Sequence, residues 1–153
     1  MKTKILPITA LAVISVLAGA PRDAFAHCQV PCGIYHDDVR FKLIAEHIDT
    51  IEKATLQIVE LSKDAAANQN QIARWVANKE SHATKIQRIV SDYFVAQRVK
   101  LPASPGDKTY ARKLALLHAI AVQSMKTKQG TDLKAVEALK LAVKEFEALY
   151  NAK

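Results

Sequence analysis

Only four glycines and five prolines punctuate the 153 residues, and three of those prolines (Pro7, Pro21, Pro31) fall before residue 32. Beyond that point little interrupts a helix, because the two residue types that most oppose helical backbone are nearly absent. Half of the chain is hydrophobic and about a quarter charged, the balance of a folded domain rather than a disordered one.

Apolar residues then set the period. Phe41, Ile44, Ile48, Ile51 and Ile58 recur at spacings of three, four and seven, which predicts one buried face of a helix over residues 38–67. Ile72, Trp75, Val76, Ala83, Ile86, Val90, Tyr93 and Phe94 form a second stripe over 70–98. The link near Asn68 is short and polar, so these two helices should run antiparallel. Leu101-Pro102-Ala103-Ser104-Pro105-Gly106-Asp107 reads as a loop, with Asp107 able to accept from the free amides of the next helix. That third helix spans 108–128, with Tyr110, Leu114, Leu117 and Ala121 on one face. Gly130 is expected to end it in the left-handed conformation. Thr131 then caps a fourth helix to residue 151, carrying Val136, Val143, Phe146 and Tyr150. The sum is an all-α fold: an antiparallel up-down four-helix bundle over 37–153. Its stripes are core, and the bundle alone names no function.

The first 26 residues have a different order. Lys2 and Lys4 precede sixteen uncharged residues, ILPITALAVISVLAGA, followed by PRDAFA. A basic start, an apolar stretch and a polar end closing on Ala-x-Ala is the pattern of a secretory signal, cleaved between Ala26 and His27. Sixteen apolar residues fall short of the roughly 20 that span a bilayer. The expectation is an exported protein, periplasmic or extracellular, with no stable membrane association after cleavage. Removing 26 of 153 residues leaves 127; three cations and one anion go with them, so the net charge falls from +7 to +5.

Both cysteines sit in AFAHCQVPCGIY, residues 24–35. A Cys28–Cys32 disulfide would close a very small loop, and so short a loop stabilises little. Thiol–disulfide catalysis favours two intervening residues, and here there are three. Structural zinc wants four protein ligands, yet only two thiols are present. His47, His82 and His118 are scattered along the chain and read as surface or satisfied residues, and His36 is off the spacing. A mature N-terminus adds donors. The His27 α-amine titrates near neutrality, at about 7.7–8.0. The Cys28 amide and thiolate follow it, and Cys32 can swing back because Pro31 bends the chain and Gly33 tolerates unusual dihedrals. Two nitrogens and two sulfurs in a plane suit Ni(II) or Cu(II), with the His27 imidazole left for an axial position. Read from the residues alone, a metal-sequestering bundle and a helical interaction protein with a plain disulfide remain alongside a metalloenzyme.

The run His27-Cys28-x-x-Pro31-Cys32-Gly33-x-Tyr35 resembles the nickel hook of nickel-containing superoxide dismutases. The likeness extends over most of the mature chain, including Arg74, Lys79-Glu80 and Ser91-Asp92-Tyr93-Phe94. It implies a four-helix bundle with the hook at residues 27–36, one nickel ion per subunit, and disproportionation of superoxide by Ni(II)/Ni(III) cycling. The implied ligands are His27, Cys28 and Cys32. Tyr35 corresponds to the active-site tyrosine and Tyr93 to a second tyrosine beside it, while Pro31 and Gly33 shape the hook. Arg74 matches an arginine that, with a first-helix carboxylate, orients the axial imidazole. That carboxylate has no match here: Lys42 stands near its place and Glu46 lies a turn later. Gln29 stands where some members have Asp, and His36-Asp37 where some have Asp-Pro. The resemblance also implies a homohexamer. Expected partners are therefore superoxide, further copies of the chain and a processing peptidase, with no nucleic acid. The positive charge suits an anionic substrate.

Overall fold

The computed structural model describes residues 37–152. The expected leader 1–26 and expected hook 27–36 lie outside the described residues. Helix α1 runs over Asp37–Leu61, a 3-10 turn over Ser62–Asp64, α2 over Ala65–Arg88 with a π-helical continuation over Ile89–Arg98, α3 over Lys108–Gln129 and α4 over Leu133–Asn151. No strand occurs among the described residues. Each helix packs on its neighbours in the order α1–α2–α3–α4, and α4 closes the ring on α1. This is the expected antiparallel four-helix bundle. Among the described residues no helix is long and apolar enough to cross a membrane.

The first stripe is buried as the periodicity requires: Phe41, Ile44, Ile48, Ile51 and Ile58 all lie in the core. The second stripe is buried only in its later half. Ala83, Ile86, Val90, Tyr93 and Phe94 are buried, whereas Ile72 and Trp75 are half-buried and Val76 is exposed. In α3 the buried line is Leu116, Leu117, Ile120, Ser124 and Thr127. Tyr110, Leu114 and Ala121 flank it, half-buried. The Ser124 hydroxyl donates to the Ile120 carbonyl at 2.8 Å and that of Thr127 to the Ser124 carbonyl at 2.7 Å. The helix backbone thus satisfies these hydroxyls, and polar residues serve as core. Val136, Val143 and Phe146 of α4 are buried, joined by Leu139 and Ala142.

The turns depart from expectation in instructive ways. The α1–α2 break falls at Ser62–Asp64 rather than near Asn68. Asp64 accepts from the Ala67 amide at 3.3 Å and so starts α2 early; three alanines, the strongest helix formers, then carry it forward. Asn68 lies inside α2, and its amide donates to the Asp64 carbonyl at 2.9 Å. Asp107 caps α3 as expected, accepting from Thr109 at 2.8 Å and Tyr110 at 3.0 Å. Asp132 rather than Thr131 caps α4, accepting from the Lys134 amide.

Gly130 is not left-handed; its φ of −162° is extended. The open end of α3 is closed from elsewhere. Lys79, only 3 % exposed, donates from α2 to the carbonyls of Lys128 and Gly130. A cation at a helix C-terminus meets the negative end of the helix dipole, and this one removes the need for a glycine C-cap. Burial lowers the Lys79 pKa, with nearby Glu80 opposing that shift. Lys128 returns the tie, donating to Thr84 at 2.8 Å and Gln87 at 2.9 Å on α2.

The core thickens toward one end. Phe94 meets Phe41 in a tilted contact and Phe146 edge to face at ring-centre distances of 5.0 Å each, and Tyr150 edge to face at 5.5 Å. Phe94 is fully buried and joins α1, the π-helical segment and α4 in one aromatic cluster. Phe94→Ala is expected to destabilise the bundle by about 3–5 kcal/mol, the range for emptying a buried aromatic site, measured as a fall in the urea midpoint.

Candidate functional site

The start of α1, the end of the π-helical segment, the start of α3 and the end of α4 share the aromatic end of the bundle. Asp37 is the first residue of α1 and follows directly in sequence on residues 27–36, the expected hook.

Four donors converge on the Asp37 carboxylate. Oδ1 accepts from Arg98 Nε at 2.7 Å and from the Tyr93 hydroxyl at 2.5 Å. Oδ2 accepts from Arg98 Nη2 at 2.7 Å and from the Tyr150 hydroxyl at 2.9 Å. The two-pronged guanidinium–carboxylate pair is the strongest and most directional form of this contact. The carboxylate also sits in the first turn of α1, where the helix dipole favours negative charge. The Tyr93 ring lies under two guanidinium groups, Arg40 at 4.9 Å and Arg98 at 5.6 Å. Lys113 of α3 lies 5.5 Å from the Tyr150 ring centre. A cleft beside the cluster is lined by Arg98, Lys100, Asp107, Tyr110 and Lys113 among others; with Arg98 paired to Asp37, Lys100 and Lys113 face it as cations beside one carboxylate.

The π-helical winding makes the convergence possible. Tyr93 and Arg98 are five residues apart. On an α-helix such residues point about 140° away from each other. Hydrogen bonds closing over five residues bring them nearly onto one face, and the Val99 amide donates to the Phe94 carbonyl at 2.8 Å in that pattern. Both side chains therefore reach one carboxylate.

The charges follow the geometry. Burial disfavours the ionised Asp37, but hydrogen bonds from Arg98, Tyr93 and Tyr150 outweigh it and hold the pKa below the ordinary carboxylate value. Burial pushes the Tyr93 phenol up to about 12, and its bond to the Asp37 anion adds to the shift. Tyr150 moves up for the same two reasons. Hydrogen bonding to Asp37 raises Arg98 further. At neutral pH the cluster is thus one carboxylate, one guanidinium and two neutral phenols.

The structure brings Tyr93 to Asp37, the first residue of α1. His27, Cys28, Pro31, Cys32, Gly33 and Tyr35 fall outside the described residues. Arg74 is exposed on α2 beside Gln71 and Trp75. It precedes Tyr93 by nineteen residues of continuous helix, roughly 28 Å at 1.5 Å per residue, and does not share Tyr93's end of the bundle. Lys42 is exposed and pairs with Asp38 at 3.7 Å, and Glu46 is exposed. Sequence reasoning missed Asp37, Arg98 and Tyr150 as members of the site. The one available signal was an acidic residue opening α1.

A carboxylate with a depressed pKa contributes stability above its unfolded value, about 3.9, and that stability is lost as pH falls through the lower folded value. Asp37→Asn is expected to cost about 1.5–3 kcal/mol at pH 7, the range for hydrogen bonds to a charged group. It should also flatten the fall in stability below about pH 4 that the parent chain shows. Urea unfolding of both proteins from pH 7 to pH 2 checks both effects.

The sequence profile of the family described as nickel-containing superoxide dismutase matches residues 22–153. Comparisons with curated proteins and with solved structures give no significant match.

Proposed function

The chain belongs to the nickel-containing superoxide dismutase family, and on that premise we propose that its metal centre forms at residues 27–35 once cleavage frees the His27 amine. Its activity is the nickel-dependent disproportionation of superoxide to O2 and H2O2. The observation that carries the site assignment is the run His27-Cys28-x-x-Pro31-Cys32-Gly33-x-Tyr35 lying inside the matched span.

The donor set fits nickel. The His27 amine, the Cys28 amide and thiolate and the Cys32 thiolate supply two nitrogens and two sulfurs, the soft, electron-rich set that suits square-planar Ni(II). The His27 imidazole would be a further donor to the ion. When bound, nickel supplies a Ni(II)/Ni(III) couple brought into range by thiolate and amide donation.

The chain's own residues do the rest. Asp37 fixes the point where the hook leaves the bundle, because its carboxylate is held by the ends of two other helices. Tyr35, two residues before it, positions the small anion. Tyr93, protonated with a pKa of about 12 and donating to Asp37, is a fixed support rather than a base at neutral pH. Lys100 and Lys113 and the mature net charge of +5 attract superoxide to this end. Arg74, which the resemblance makes the orienting arginine, lies on an exposed stretch of α2 remote from Tyr93's end. The assembly is a homohexamer, in keeping with the resemblance of the hook and helices. Exposed Leu56, Val59 and Leu141 are surface it would cover. Export to the periplasm or the extracellular space, with cleavage after Ala26 by a processing peptidase, completes the reading.

The test is metal content, N-terminus and dismutase rate on one preparation. A chain starting at His27 should hold about one nickel per subunit, as a single hook predicts. Cys28→Ser, Cys32→Ser or one alanine added before His27 should lower the rate by more than about 100-fold, beyond the 10–100-fold typical of changes outside the ligand shell. An uncleaved chain with full activity overturns the assignment. The rate should also fall as ionic strength rises, since added salt screens the attracting field; a flat response removes the steering role. Light scattering decides the hexamer.

A further inference from the structure

His47 and His82 are thirty-five residues apart in sequence, yet α1 and α2 bring their rings to a centre-to-centre distance of 4.9 Å with planes at 90°. Both residues are half-buried. The His82 Nδ1 atom is buried and has no hydrogen-bond partner, which is costly for an imidazole nitrogen. Neither residue belongs to the hook or to the Asp37 cluster, and α1 and α2 hold them independently of both.

With metal–nitrogen bonds of about 2.0–2.1 Å, each imidazole centre lies about 3.2 Å from a shared ion, and a tetrahedral ion separates two such centres by about 5 Å. The observed 4.9 Å is compatible with that spacing, and equally with a plain edge-to-face ring contact; the unpartnered His82 Nδ1 is what favours an ion. We propose that His47 and His82 form a second metal site, taking a divalent ion of the zinc, copper or nickel class through two imidazoles, with water completing the shell. The ion would also supply the partner that His82 Nδ1 lacks.

The surroundings keep both lone pairs available. Burial lowers the His47 pKa, and the neighbouring His82 and Lys85 lower it further against the opposing pull of Glu46. Burial and Lys85 lower that of His82. Both rings are therefore neutral at pH 7, the state that binds metal. With two protein ligands the site is exchangeable, unlike a closed four-ligand structural site.

The experiment uses the processed, nickel-loaded protein and zinc as the probe. Calorimetric titration with metal analysis should find one zinc per chain in addition to the hook nickel. His82→Gln or His47→Asn should weaken uptake by about tenfold or more, with nickel content unchanged, whereas the exposed His118→Gln should have no effect. NMR of the unsubstituted protein should show the His47 and His82 ring signals shifting together as zinc is added. Absence of zinc uptake, uptake unchanged in both variants, or ring signals that ignore zinc would each overturn the site. Because nickel content and dismutase rate are read separately, failure here leaves the hook assignment standing.

Discussion

One carboxylate carries the geometry of the functional end. Asp37 opens α1, and the groups that hold it come from the middle and the far end of the π-helical segment and from the last turn of α4. Up-down topology makes this possible, since alternate helix ends meet at one end of the bundle. The carboxylate is desolvated enough to disfavour charge, and the donors together reverse that cost. Each donor removed would leave the anion less well compensated in a half-buried place. Whatever docks in front of Asp37 meets an edge whose three helices are pinned to a single point.

The sequence made the bundle legible because helix periodicity is local. Phe41, Ile44 and Ile48 announce their face within two turns, and Asp107 announces its cap within three residues. The hook is a reading of a related kind: its expected donors His27, Cys28 and Cys32 lie within six residues, and their order limits the metal chemistry they would suit. The Asp37 cluster was not legible, because its members lie 56, 61 and 113 residues apart. His36-Asp37 read only as a departure from Asp-Pro, whereas the second of those residues organises the site.

Two local readings failed because distant side chains replaced local devices. Gly130 was expected to take a left-handed cap, but Lys79, some fifty residues earlier, supplies the charge and donors that the end of α3 needs. His47 and His82 read as scattered and satisfied, but α1 and α2 place them in contact and leave one nitrogen unpaired. In both cases a polar side chain looked ordinary in sequence and took its meaning from a helix that no short window includes.

The π-helical stretch over Ile89–Arg98 has a consequence of its own. It acts as a phase shifter: the side chains before it obey one angular count and those after it another. Substitutions within it leave the count intact. The same residues wound as an ordinary α-helix would turn Arg98 about 140° from Tyr93, whereas removing one residue between them would leave the pair four apart and still on one face. Winding and length are therefore coupled in this stretch. An equal deletion in the loop at 99–107 would change only the path to α3. The protein measures out its site here by counting residues, in a segment whose individual side chains face solvent at several positions.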